Sequence, residues 1–244
     1  MSRWHDALSL RIRERVLRHY LVPYSHVGLD AGLVPHLPRR TAVTLVDIGA
    51  HRGEFTAAVE AHCGIRKAVL VEPQPSLQLA LEERFVGDRF HVCNDALSDH
   101  SGAQAFEILA ADSCSSLLQV KAETGFRDRQ IDVSVKERRE VRLSTLDEVM
   151  ARRPWDDPID VLKVDTQGTE LDVLRGATGT LLRVRYLWIE VSFRSLYEGD
   201  ALFPEIHGFL SGRGFRFFSL HDVFRAADRE LLQADALFLG PMAP

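Results

Sequence analysis

The stretch Leu45-Val46-Asp47-Ile48-Gly49-Ala50-His51-Arg52-Gly53-Glu54-Phe55-Thr56 decides the fold. A β-branched apolar run over 43–48 reads as a buried strand. It ends in a glycine turn and passes into a helical pattern over 53–63. Gly49 has no Cβ, so the backbone can turn there without a clash, and Gly53 lets a ligand or the strand approach the start of the helix. Nineteen residues beyond Gly53, Glu72 closes the second strand. A carboxylate at that place can accept hydrogen bonds from both hydroxyls of a ribose, as nucleotide sites on doubly wound sheets do.

Outward from this unit, strand and helix take turns. Strand patterns over 68–71 and 90–93 flank a helix over 76–85, in which Leu77, Leu81 and Phe85 recur at spacing four. Strands over 159–164 and 186–191 follow, with helices over 170–175 and 203–213. The alternation implies βαβ units and a parallel sheet with helices on both faces. No helix-length pattern separates 215–220 from 236–239, so these last strands are expected to be antiparallel neighbours. Between the halves, 104–108 alternates like an edge strand, 109–139 reads as a long surface excursion, and 140–143 as a strand. Ser144 or Thr145 opens a short helix through Met150, and Glu148 is spaced for a capping box if Thr145 is the cap. The expected fold class is α/β: a Rossmann-like, doubly wound sheet of seven strands over 41–244, the last strand antiparallel. Ahead of it, 1–40 forms a helical extension: Trp4, Leu8, Ile12, Val16 and Tyr20 give 3–21 an amphipathic pattern, and 22–41 connects.

The chain of 244 residues is long enough for a sizeable core without disulfides, and its 45% apolar and 27% charged residues exclude disordered and fibrous classes. A net charge of −5 disfavours a dedicated duplex-binding protein, whose phosphate contacts need clustered Lys and Arg. No nucleic-acid partner is expected. Three cysteines without a C-x-x-C pair suit a reducing, cytoplasmic setting. No run suggests a transmembrane segment or a signal peptide.

The glycine loop is G-x-x-x-G rather than the dinucleotide G-x-G-x-x-G, with His51 where the middle glycine would admit a pyrophosphate. Such a loop suits a ligand without phosphates. Asp47 could anchor an ammonium, directly or through water, and Asp95 could accept from an adenine amine. An amino acid, a ribose and an adenine in one cleft describe S-adenosylmethionine. A nicotinamide-dependent oxidoreductase and a non-catalytic cofactor-binding domain remain the alternatives.

On these residues the chain resembles the FkbM-type family of S-adenosylmethionine-dependent methyltransferases. The matching pieces are Val46-Asp47-Ile48-Gly49-Ala50-His51-Arg52-Gly53, Val71-Glu72-Pro73-Gln74-Pro75, Asn94-Asp95-Ala96-Leu97-Ser98-Asp99, Ser144-Thr145-Leu146-Asp147, and Leu162-Lys163-Val164-Asp165-Thr166-Gln167-Gly168-Thr169-Glu170. The resemblance covers about 43–220 and departs at His51, where family members often have Asn. It implies a class I methyltransferase fold and methyl transfer to a hydroxyl of a sugar, glycolipid or polyketide-like small molecule. It also implies cofactor positions at Asp47, Gly49, Gly53, Glu72, Asp95 and Ala96, to which the loop residues Ala50 and His51 are added. His51 would bring a titratable group beside the cofactor.

Ligands of open α/β sheets bind beyond the carboxyl ends of the strands. Asp165 ends the fourth strand and Glu190 lies near the end of the fifth. They are the candidate catalytic acids, as a base for the acceptor hydroxyl or as a holder of Mg²⁺. The alternatives are a helix cap at Asp165 and a buried structural acid at Glu190. Lys163 either pairs with Asp165 or faces the cleft. The cluster Ser113-Cys114-Ser115-Ser116 either closes over the cofactor or forms a solvated turn, and no sequence neighbour equips Cys114 as a nucleophile. The expected partner is a small-molecule or glycan acceptor, and assembly into a homo-oligomer is open.

Overall fold

The structure is a computed structural model that describes residues 32–37, 41–121, 126, 131–152, 155 and 157–243. The helix expected over 3–21, and with it most of the extension over 1–40, lies outside the described residues.

A seven-stranded sheet forms the body. In chain order its strands are β1 (Val43–Ile48), β2 (Ile65–Val71), β3 (Phe90–Cys93), β7 (Ile159–Val164), β8 (Val184–Ser192), β9 (Arg216–Arg225) and β10 (Leu231–Leu239). Their order across the sheet is β3-β2-β1-β7-β8-β10-β9. β1 is buried at every position because it lies between β2 and β7, both parallel to it. Its alternate side chains enter opposite layers. Val46 and Ile48 join Leu162, Val164 and Ile189 on one face, whereas Val43 and Leu45 join Leu70, Val161 and Leu237 on the other. A strand apolar on both sides is what a sheet with two covered faces requires.

Helices α1 (Glu54–Cys63) and α2 (Pro75–Arg84) cover the second face through Val59 and Leu81. The first face is covered by α3 (Leu146–Ala151), α4 (Glu170–Arg175), α5 (Thr178–Leu181) and α6 (Phe203–Ser211) through Val149, Leu174, Leu181 and Ile206. The capping box opens α3, with Thr145 accepting from Glu148 and the Glu148 carboxylate accepting from the Thr145 amide. Strand β10 is antiparallel to both neighbours and is inserted between β8 and β9. The antiparallel ending foreseen from sequence is therefore present.

The middle of the chain departs from expectation. β4 (Ala96–Leu97), β5 (Gly102–Leu109) and β6 (Val135–Ser144) form a separate three-stranded sheet, in which β6 lies between the other two. β6 begins well before the expected 140–143 because pairing with β5 draws its exposed, charged half into a ladder. The excursion over 109–139 is anchored as well. Leu109, Cys114 and Phe126 pack with Leu196 and Tyr197 in a small core of their own.

Candidate active site

At the carboxyl end of β1 the chain turns through Gly49, whose φ is 71°. A Cβ there would lie 1.8 Å from the backbone oxygen of Asp165, so only glycine lets β1 and β7 end side by side. The amides of Gly49 and Ala50 both donate to the Val71 carbonyl, each at 3.0 Å. From β7, the buried Lys163 Nζ donates to the carbonyls of Gly49 (2.6 Å) and Ile48 (3.3 Å) and pairs with Asp165 Oδ2 (3.3 Å) and Asp47 Oδ1 (3.6 Å). Both readings of Lys163 thus hold, since it pairs with Asp165 and also lines the cleft.

Glu72 projects from the end of β2. Its Oε2 accepts the His51 amide (2.9 Å) and its Oε1 the Gln74 amide (3.0 Å). Each carboxylate oxygen can accept a second hydrogen bond, and the residue lines the cleft. Burial pushes the Glu72 carboxyl up from the usual carboxylate value, against the two amides that favour its charged form.

The cleft, of about 1080 Å³ with its mouth, is lined by Gly49, Ala50, His51, Glu72, Asp95 and Ala96 on the β1–β3 side. Two expected cofactor residues stand behind this wall. Asp47 is fully buried, accepts Thr56 Oγ1 at 2.6 Å and holds the turn from beneath through Lys163. Burial is the main cause that raises its carboxyl. Gly53 starts α1 at φ 76°, and a Cβ on it would strike the ring of Phe85 at 2.3 Å. It admits α2 against the loop and does not line the cleft. Asp95 does line it, but its Oδ2 is engaged by Ser144 Oγ (2.6 Å) and Arg152 (2.8 Å). Burial opposes its charge, yet these partners hold the carboxyl below its ordinary value.

A strap crosses the mouth. The 3-10 turn Asp112–Cys114 is tied to the loop by His51 Nε2 on Asp112 Oδ1 (3.1 Å), by Arg52 on Asp112 Oδ2, and by Gln74 Nε2 on the Asp112 carbonyl (3.2 Å). Ser113 and Ser115 line the cleft, so this serine cluster closes over the site and is no solvated turn. Burial pushes the Cys114 thiol up to about 11, which leaves it a poor nucleophile. For His51, burial disfavours charge, but the Glu54 carboxylate at 3.7 Å and the hydrogen bond to Asp112 outweigh it and raise the pKa. The clamp is thus strongest below about pH 6.5, the unperturbed histidine value, and is lost as pH rises through the raised folded value. Thermal melts of wild type and His51→Gln should differ most near pH 6 and converge toward pH 9. A difference independent of pH would remove the ionic clamp.

On the other side the cleft is lined by Asp165, Thr166, Gln167, Trp188, Asp222 and Asp235. Asp165 is where the sequence places it, at the end of β7. Glu190, the second expected acid, does not line the cleft but sits behind Gln167. The Gln167 Nε2 donates to Asp165 Oδ1 (2.7 Å) and to Glu190 Oε2 (3.0 Å), which also accepts Gln233 Nε2 (2.9 Å). Carboxylate oxygens of Asp165, Glu170 and Glu190 lie within 4.8 Å of one another. The set nevertheless fits Mg²⁺ poorly. Glu170 accepts the amides of Thr166 and Gly168, and a cation would have to displace these and the two glutamine amides on Glu190. Burial, with Asp165 nearby, lifts Glu170 and Asp235 to about 7 and Glu190 well above its ordinary value. Carboxyls pushed up in this way give up a proton less readily, which weakens them as ligands for a hard cation.

Gln167, Asp222 and Asp235 received no role from sequence. A lone acid inside the apolar run of β10 was a readable signal for Asp235, whereas Asp222 comes to the cleft only through the pairing of β9 with β10.

Comparison with known proteins follows this geometry. The Methyltransferase FkbM domain profile matches residues 47–217. No curated protein sequence matches the chain. Among solved structures, a methyltransferase FkbM from Methylobacillus flagellatus aligns at TM-score 0.54 and 19% identity, over 89% of this chain and 48% of that one. The chain therefore spans about half the length of that protein. A Listeria monocytogenes protein assigned to the S-adenosylmethionine-dependent methyltransferases aligns at TM-score 0.49 and 9% identity, over 88% and 99% of the two chains. A Streptococcus mutans protein solved in complex with SAH aligns at 0.47 and 10%, over 89% and 100%. The sheet is the Rossmann-like sheet of class I methyltransferases, and with its profile match over 47–217 the chain belongs to the FkbM methyltransferase family.

Proposed function

We propose that the protein transfers the methyl group of S-adenosylmethionine to a hydroxyl oxygen of a small molecule or glycan. The observation that carries this reading is Glu72. Its carboxylate, fixed by two backbone amides, borders a cleft closed on one side by a phosphate-unfriendly G-x-x-x-G turn and on the other by Asp95 and Ala96. Glu72 would hold the ribose, Asp95 and Ala96 would border the adenine, and Gly49 and Asp165 would border the reacting end.

When bound, the cofactor supplies a methyl already activated by its sulfonium. The protein aligns donor and acceptor, a contribution on the order of 7–11 kcal/mol at best. Asp165 would orient the acceptor hydroxyl toward that methyl, for which the neutral thioether would be the leaving group. The hydroxyl proton passes to Asp165, the carboxylate on the acceptor side of the cleft. Lys163 pairs with that carboxylate and fixes the glycine turn, which sets the distance between the two halves of the site.

Glu72→Ala should weaken S-adenosylhomocysteine binding by at least about 10–100-fold, since even one hydrogen bond to a charged group is worth ~1.5–3 kcal/mol. Isothermal calorimetry beside a thermal melt separates this loss from unfolding. For the reaction itself, methyl-labelled cofactor is incubated with a small-molecule extract of the host cell. Label in a methyl ether supports the assignment, and label confined to nitrogen or to nucleic acid refutes it.

A further inference from the structure

We propose that Gln167 is a positioning residue: its side-chain amide fixes the Asp165 carboxylate and couples it to the strap over the cofactor cleft. This rests on Asp165 as the acceptor-side acid.

Gln167 has φ 58°, a left-handed conformation uncommon for a residue with a side chain. The fold holds it there from both ends. Its carbonyl accepts Ser116 Oγ at 2.7 Å, and the following Gly168 is packed so closely on Leu118 and Tyr197 that a Cβ would meet both within 3.2 Å. The conformation sends the amide between two carboxylates. Both Nε2 hydrogens are used, one on Asp165 and one on Glu190. Oε1 accepts the hydroxyl of Tyr197 at 2.8 Å. That tyrosine is fully buried, and its hydroxyl also lies 3.1 Å from the carbonyl of Cys114 in the strap. Ser116 and Cys114 both belong to the segment that closes the mouth, so one side chain touches the closing segment and the acid together. A carboxamide suits the place because it donates to two acids without adding charge. Asp165, which lines the cleft, is then held by Gln167 on Oδ1 and by Lys163 on Oδ2.

Gln167→Glu keeps the shape and the contact with Tyr197 but replaces the double donor by an acceptor. Gln167→Gly removes the side chain and relieves the left-handed backbone. In each, the methyl-transfer kcat should fall about 10–100-fold, the scale of a small misplacement of a reacting group. The Kd for S-adenosylhomocysteine should stay within twofold. Tyr197→Phe should lower kcat in the same direction by a smaller factor. A readout free of the acceptor is the ¹³C titration of the Asp165 carboxyl, identified as the resonance missing in Asp165→Asn. It should move in Gln167→Glu and Gln167→Gly. A merely structural role would change melting temperature and cofactor affinity together while leaving this titration in place. An unchanged titration with kcat within twofold of wild type overturns the proposal. Full turnover in Asp165→Asn instead overturns the assignment of Asp165.

Discussion

Replacing Asp165 by Asn should lower methyl transfer by about 10²–10⁴-fold, the usual contribution of a positioned general base. Affinity for S-adenosylhomocysteine should hardly change. The two effects separate because the cofactor wall and the acid come from different elements. Glu72 follows β2 and Ala96 lies in β4 of the small sheet, whereas Asp165 follows β7 on the other side of the cleft. Asn keeps the size of Asp and its contact with Gln167, but it cannot take the hydroxyl proton. The substitution also removes the charge that faces Lys163, which still has Asp47 and the carbonyls of Ile48 and Gly49. The fold should therefore survive. Single-turnover transfer of labelled methyl, with calorimetry on the same sample, checks the split. Equal loss of turnover and cofactor affinity would make Asp165 a structural residue.

Gly49→Ala should be the most damaging small substitution for stability. Its Cβ would sit 1.8 Å from the Asp165 backbone oxygen, inside the parallel β1–β7 pair where neither strand can give way. A left-handed φ of 71° adds about 1–2 kcal/mol for any residue with a Cβ. Overpacking adds about 1–3 kcal/mol. Together the loss is about 2–5 kcal/mol, a large part of the ~5–15 kcal/mol that a domain commonly has. Gly199→Ala is the control. Its φ is 83° but its Cβ would meet nothing within 4 Å, so only the backbone cost remains. Urea melts of the two variants should differ by the packing contribution. Equal midpoints would mean that the β1 turn relaxes freely around a methyl group.

The periodic parts of the chain were readable from sequence. The apolar run of β1, the turn at Gly49, Glu72 at the end of β2 and the antiparallel final pair all follow from local pattern, and each is present. Residues whose role depends on distant packing were not readable. Gly53 reads in sequence as room for a ligand or the strand, but its missing Cβ makes room for Phe85, the residue that follows α2. Asp47 and Glu190 carry the right chemistry at the right strand ends. Yet strand alternation does not tell whether a side chain reaches the cleft or stops behind Thr56 or Gln167. Gln167 was visible only as part of a motif, since its bridging role needs Tyr197 from after β8. The segment over 109–139 reads as a surface excursion because apolar residues such as Leu109, Cys114 and Phe126 find their partners in Leu196 and Tyr197, far along the chain.

The central claim is that the cleft between the Gly49 turn and Glu72 holds a methyl-donating nucleoside. Calorimetric titration with S-adenosylhomocysteine, and in parallel with NADH, addresses it most directly. The account predicts saturable heat with the demethylated cofactor, most of it lost in Glu72→Ala, and none with the dinucleotide. Saturation by NADH with no response to S-adenosylhomocysteine would contradict it.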